Sequence, residues 1–245
     1  MNIITSIFLG FLQGLTEFLP VSSSGHLVLV QSLLPGFTQV GVLFDVFLHF
    51  GTLFAVLVFF RKEILKLPPK YYLYLALGTI PAAFIGYFFK SQLESLFTST
   101  KLVGFALLAT GLVNLLTDKI ESTGKKLSFK NSFITGVAQA IAIIPGISRS
   151  GTTIFASVAQ GVDKKSAAKF SFLLSIPAVL GANILEFATH GVSEIGNYTF
   201  YLTGFVFSFI SGLLAIYLVF KFLTQRKFKI FAYYCFIVGI LAILL

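Results

Sequence analysis

Charge is scarce in this chain. Only 11% of its 245 residues are Asp, Glu, Lys or Arg, against about 25% in an ordinary soluble domain. With 56% hydrophobic residues, 30 phenylalanines and a mean hydropathy of +0.93, that scarcity excludes a water-soluble globular domain and points to an integral membrane protein. Cysteine is scarcer still. Cys235 stands alone in an apolar run, which excludes a disulfide framework and leaves it as a small buried hydrophobe. No Lys or Arg precedes Arg61, so no cleaved signal peptide with a basic start is expected. The charge that is present leans one way, with 18 Lys and Arg against 9 Asp and Glu. These cations fall in short loops between apolar runs, which suits membrane topology and anionic lipid headgroups and argues against a nucleic-acid partner.

A transmembrane helix needs about 20 mostly apolar residues. Six segments qualify: 40–60, 71–89, 101–117, 167–188, 198–220 and 228–245. Two further apolar stretches, 3–34 and 131–161, are each interrupted near the centre by Pro, Gly and Ser. Each is expected to be a re-entrant hairpin, a half-helix in and a half-helix out, because halves of about 15 residues are short for full spans. Loop backbone at such depth must be buried in protein or line a wet cavity. In this arrangement 15 of the 18 Lys and Arg residues fall on one side, only Lys90 and Lys101 on the other, and Arg149 within a hairpin. Positive residues mark the cytoplasmic side, so both termini are expected outside. Two full double spans in place of the hairpins would give the same split.

The two interrupted stretches are related at an offset of 126 residues. Gly10 then meets Gly136, Gln13 meets Gln139, Ser22 meets Ser148, Ser24 meets Ser150 and Gly25 meets Gly151; farther on, Gly78 meets Gly204 and Gly86 meets Gly212. The expected fold is therefore an all-α polytopic membrane protein built as an inverted-topology repeat, residues 1–119 and 127–245. Each copy holds one re-entrant hairpin and three spans. Three is an odd number, so the second copy is inverted, and the hairpin tips are expected to meet near the midplane, as in other proteins built from broken helices.

Both tips read as anion sites. Pro20 and Pro145 end the incoming half-helices, and "SSSG" (Ser22, Ser23, Ser24, Gly25) and "SRSG" (Ser148, Arg149, Ser150, Gly151) open the outgoing ones. Hydroxyl caps, permissive glycines including Gly146, and the free N–H groups of a helix N-terminus suit a phosphate. Arg149 is the sharpest clue. An arginine at membrane depth costs at least ~2.5 kcal/mol and faces a wet cavity or a partner. Its planar fork fits phosphate oxygens; the competing reading is a structural ion pair with Glu17. Gln13 and Glu17 share a helix face, where they could hold a divalent metal, and Glu17 could act as a base. Their plainer role is a polar plug. His26 could activate a serine or water, or be a hydrogen-bonded packing residue; its place beside the three serines favours the former. His49, Asp45 and Glu186 lie near spans without such company, and His190 is expected in an external loop. At the same offset the second copy has Ile143 for Glu17 and Thr152 for His26. The first copy is thus expected to do chemistry and the second, with Ser148, Arg149, Ser150 and Thr153, to bind.

At these residues the chain resembles a known family. "LQGLTEFLPVSSSGH" and "PGISRSGTT" are similar to the two signatures of the undecaprenyl-diphosphatase, or bacitracin-resistance protein, family, and the resemblance covers essentially the whole chain. The family's Glu/Gln-x-x-x-Glu motif falls on Gln13 and Glu17, its Ser-and-His element on Ser23 and His26, and its Pro-Gly-x-Ser-Arg-Ser-x-x-Thr motif on Pro145 to Thr153. The resemblance implies hydrolysis of undecaprenyl diphosphate to undecaprenyl phosphate and inorganic phosphate. That activity recycles the lipid carrier of peptidoglycan synthesis and confers bacitracin resistance. It also implies a divalent cation, magnesium or calcium, and a site open to the periplasmic side of the bacterial inner membrane. Glutamine at position 13 weakens any scheme that needs two carboxylates on the metal. The partners expected are the C55 lipid and membrane lipids, with a homodimer left open. The rival function is a lipid-phosphate or anion transporter built on the same inverted repeat.

Overall fold

Apolar chain inside lipid must satisfy its backbone hydrogen bonds internally, and helices do so within a single segment. The computed structural model describes residues 2–34, 41–190 and 198–245, and among them it is helical throughout apart from turns and one isolated bridge between Lys125 and Val162. The helices are α1 (Ile3–Phe18), α2 (Ser23–Leu33), α3 (Gly41–Phe59), α4 (Arg61–Ile64), α5 (Pro69–Phe88), α6 (Lys90–Leu96), α7 (Thr100–Lys119), α8 (Phe129–Ile141), α9 (Arg149–Ala159), α10 (Lys164–His190), α11 (Tyr198–Thr224) and α12 (Lys229–Leu244).

Four of these, α5, α7, α10 and α11, are long and apolar enough to cross a membrane. The protein is therefore a multi-pass membrane protein. Six such spans were expected. The other two fall at α3 and α12, whose described apolar parts are shorter. The 16 residues of α12 rise about 24 Å, against a hydrocarbon core of about 30 Å. The interrupted stretches are each two helices, 16 and 11 residues in the first and 13 and 11 in the second. An 11-residue helix rises only about 17 Å. The short helices α4 and α6 were not foreseen. The side chain of His190 lies outside the described residues.

Close helix crossings hold the bundle together. Within a membrane, small residues let backbones approach where no hydrophobic force drives them together. A Cβ on Gly10 would collide with the carbonyl of Gly204, seating α1 on α11; a Cβ on Gly136 would collide with the carbonyl of Gly78, seating α8 on α5. Gly14 follows against Ser208 to Gly212, so α1 and α11 run parallel. Gly104 meets Gly239 while Gly111 meets Ala232, so α7 and α12 run antiparallel. Below the end of α1, Phe18 packs edge-on against Phe172 at 5.4 Å, and Phe172 against Phe220 at 5.7 Å. This phenylalanine cluster joins α1, α10 and α11 at Phe18, the residue after Glu17.

Candidate active site

The site grows from two broken turns. In the first, α1 stops at Phe18, and Ser22, at φ +69°, caps α2 by accepting from the Gly25 amide at 3.3 Å. In the second, α8 stops at Ile141, Gly146 takes φ +94°, and Ser148 caps α9 by accepting from the Gly151 amide at 3.2 Å. Each capping hydroxyl also meets the serine two residues on, Ser22 with Ser24 at 3.3 Å and Ser148 with Ser150 at 3.2 Å. The local sequence logic is thus the same twice: a proline-bearing stop, a serine cap and a glycine that lets another backbone come close.

The turns clasp one another along α7. A Cβ on Gly25 would lie 2.9 Å from the Gly146 Cα, and one on Gly151 would lie 3.1 Å from the Pro20 Cβ. Thr110 donates to the Gly146 carbonyl at 2.8 Å and accepts from the Ser148 amide at 3.0 Å. One helical turn along, Asn114 donates to the Pro20 carbonyl at 2.6 Å. Ser150 donates across to the Leu19 carbonyl at 3.2 Å. The caps and clasps use Ser22, Ser148 and Ser150 structurally. Thr153 donates to the Arg149 carbonyl at 2.7 Å and lies 2.6 Å from the Ser171 hydroxyl, fixing α9 on α10.

This clasp brings the first residue of α9 to the last turn of α1. Arg149 Nη2 lies 2.5 Å from Glu17 Oε1, so the ion pair weighed from the sequence is formed. Arg149 Nη1 donates to the Ser171 carbonyl at 3.2 Å. The other Glu17 oxygen accepts from Ser23 Oγ at 2.6 Å and from Gln13 Nε2 at 3.1 Å. Glu17, Arg149, Ser23 and Gln13 therefore form one connected polar group, with Glu17 and Gln13 buried and Ser23 and Arg149 partly open.

His26 stands apart from it. Its Nδ1 lies 2.7 Å from the Ser22 carbonyl and its Nε2 lies 2.6 Å from the Tyr234 hydroxyl, with the two rings stacked at 5.5 Å. Among the described residues it makes no hydrogen bond to Ser23, Glu17 or Arg149. His49, set aside in the sequence because no polar motif surrounds it, places Nε2 3.9 Å from Glu17 Oε2 while Nδ1 meets the Asp45 carbonyl at 2.7 Å. Thr110, Asn114 and Tyr234 were missed as well. Thr110 and Asn114 are polar residues one turn apart in an apolar span, and that spacing was the available signal.

The donors can be tested against a divalent cation. Gln13 Oε1 is buried without a hydrogen-bond partner, beside a carboxylate. Both Glu17 oxygens already have partners, Arg149 balances its charge, and among the described residues no three His, Cys, Asp or Glu side chains gather. Mg²⁺ is commonly held by one or two carboxylates with substrate phosphates. The residues therefore fit a cation that shares its shell with a phosphate, and do not form a cage of their own.

The family model described as bacitracin resistance protein BacA matches residues 6–241. A protein named undecaprenyl-diphosphatase from Halothermothrix orenii is 45% identical over 257 residues, which cover 100% of this chain and 98% of that protein. One of the same name from Methanococcus maripaludis is 44% identical over 94% of this chain and 95% of its own length. Another, from Christiangramia forsetii, is 42% identical over 100% and 98% respectively. With the family model matched over residues 6–241 and relatives similar from end to end, the chain belongs to the BacA bacitracin resistance protein family.

Proposed function

We propose that this membrane enzyme hydrolyses undecaprenyl diphosphate to undecaprenyl phosphate and inorganic phosphate, at the group formed by Glu17, Ser23, Gln13 and Arg149. The observation that carries the reading is the hydrogen bond from Ser23 Oγ to a carboxylate that also holds Arg149. A hydroxyl on a base, beside a guanidinium, is the arrangement phosphoryl transfer needs. A carrier that only cups an anion has no use for the first half of it.

The lipid chain stays in the bilayer while the diphosphate enters between the clasped turns. Arg149 exchanges Glu17 for phosphate oxygens, which its fork matches in pairs. Glu17, so released, takes the proton of the nucleophile, either Ser23 Oγ or a water held at the same carboxylate. A new O–P bond forms at the terminal phosphorus, the bridging P–O bond breaks, and its electron pair leaves on the lipid phosphate. Water as the nucleophile gives inorganic phosphate directly, whereas Ser23 gives a phosphoserine whose Oγ–P bond is then broken by a water that loses its proton to a base, the serine oxygen regaining one. The N-termini of α2 and α9 and Arg149 stabilise the charge that develops. A divalent cation, magnesium or calcium, held by Gln13 Oε1, Glu17 and the phosphate oxygens would add Lewis-acid charge neutralisation.

The membrane arrangement we infer has six spans and two re-entrant hairpins, α1–α2 and α8–α9. They form an inverted repeat of residues 1–119 and 127–245 in the inner membrane, with the site open to the periplasm and both termini outside. Half-length helices, the lopsided placement of lysine and arginine, and glycine crossings that recur 126 residues apart support it.

Phosphate release from a long-chain prenyl diphosphate by purified, detergent-solubilised protein tests the activity. Release that stops on adding a chelator is expected. A folded sample that releases none would leave the transporter as the better reading, since a pure carrier produces no phosphate.

A further inference from the structure

His26 has no nitrogen to spare. A carbonyl oxygen can only accept, so the contact from Nδ1 to the Ser22 carbonyl places the ring proton on Nδ1. Neutral Nε2 is then an acceptor, and the Tyr234 hydroxyl at 2.6 Å donates to it. Any exchange between this imidazole and a ligand therefore passes through Tyr234 Oη, which keeps its lone pairs. The tyrosine also sits differently from the ion pair. Tyr234, on α12, is 42% exposed as a residue, while the side chains of Arg149 and Glu17 are 15% and 7% exposed.

A lipid diphosphate is linear, and its chain must remain outside the protein. The terminal phosphate belongs with the buried arginine, and the phosphate joined to the chain belongs nearer the exposed edge. We propose that Tyr234 and His26 form a hydroxyl–imidazole pair that binds the chain-linked phosphate. Tyr234 Oη is the contact atom and His26 is the positioning residue that holds it. The inference rests on the phosphatase reading and adds a subsite to it. When a phosphate oxygen arrives, the phenolic proton turns from Nε2 to that oxygen, and Nε2 takes up a proton from solvent and donates it in a hydrogen bond to Tyr234 Oη, so the imidazolium still holds the tyrosine.

Tyr234→Phe removes one oxygen at a partly exposed position, so the variant is expected to unfold in detergent at the wild-type temperature. Its kcat/KM for a long-chain prenyl diphosphate should fall about 10- to 100-fold, the range for one hydrogen bond to a charged group. Added to His26→Ala, the same change should cost less than about twofold, because coupled residues are not additive. Product inhibition locates the contact. Inhibition by prenyl monophosphate should weaken in Tyr234→Phe by about the same factor, while inhibition by inorganic phosphate stays unchanged. Undiminished kcat/KM, losses that multiply with His26→Ala, or equal weakening of both inhibitors overturns the proposal. If the wild-type protein releases no phosphate, the phosphatase reading fails first and takes the pair with it; an active wild type with an unimpaired Tyr234→Phe sinks the pair alone.

Discussion

The α1–α2 turn and the α8–α9 turn share a scaffold and differ in chemistry. Both have a serine cap bonded to a glycine amide three residues on, and both have a second serine against the first. The site side chains are divided unequally. Gln13, Glu17 and Ser23 come from the first, where His26 lies apart from them, and only Arg149 comes from the second; at the offset of 126 it takes the place of Ser23. One scaffold thus carries a carboxylate and a hydroxyl, and the other carries the guanidinium that pairs with them. Neither turn is a site without its partner, because the pair that defines the site joins residues 132 apart in the chain. The frame is alike in the two turns, and a few positions set their side chains apart.

The hardest way to break this comparison is to remove the pair. Arg149→Ala and Glu17→Ala should each abolish phosphate release, and each should destabilise the fold by about 3–5 kcal/mol, because one buried charge is left unmatched. The double variant Glu17→Gln with Arg149→Gln separates the two effects. It should recover most of the thermal stability in detergent, read by circular dichroism, while turnover stays absent. Recovery of turnover would mean that the pair is a strut and the chemistry lies elsewhere. Ser23→Ala belongs beside these. A phosphoserine trapped by rapid quench of the wild type, and missing from the variant, would name Ser23 as the nucleophile; its absence from both would leave water.

The next contrast is between the two glutamines. Gln13 and Gln139 occupy matching positions, are buried, and each keeps an unpartnered Oε1. Only Gln13 lies against a carboxylate; Gln139 Nε2 reaches the Gly78 carbonyl at 3.5 Å. Gln13→Ala should lower kcat/KM about 10- to 100-fold and raise the cation concentration needed for half-maximal activity, as loss of a metal-shell group does. Gln139→Ala should change kcat/KM by less than about twofold, since its contact is to the α5 backbone and not to the polar group. Equal effects on activity would mean that the second turn takes part in the chemistry.

Much of this is legible in the sequence alone. Interrupted apolar runs announce broken helices because Pro, Gly and Ser in lipid require a reason, and the helix breaks at Leu19 and Ala142 fall where those residues cluster. Arg149 and Glu17 stand out by the cost of burying charge. The direction of a side chain was not legible. His26 follows three serines and reads as their partner, yet a one-turn helix start turns its Nδ1 back onto the Ser22 carbonyl and its Nε2 outward to Tyr234. His49 has no polar motif around it and reads as packing, yet the approach of α3 to α1 carries it to the edge of the carboxylate. Thr110 and Asn114 were hidden for a related reason. Their partners are backbone carbonyls, which leave no mark in a pattern of side chains.

The smallest effect probes the frame alone. Gly10 against Gly204 and Gly136 against Gly78 are the same crossing made twice, with a carbonyl where a methyl would have to go. Gly10→Ala and Gly136→Ala should therefore each destabilise the protein by about 1–3 kcal/mol, the range for overpacking a tight contact. The two losses should agree within about 0.5 kcal/mol and add in the double variant, as expected of separate sites. The measurement is thermal or denaturant unfolding of detergent-solubilised protein, followed by circular dichroism. Activity at low temperature should remain in both, since neither glycine touches the polar group. A large cost at one crossing and none at the other would show that the matched glycines are chance, and with them the equivalence of the two halves would go; the Arg149–Glu17 site would still stand on its own geometry.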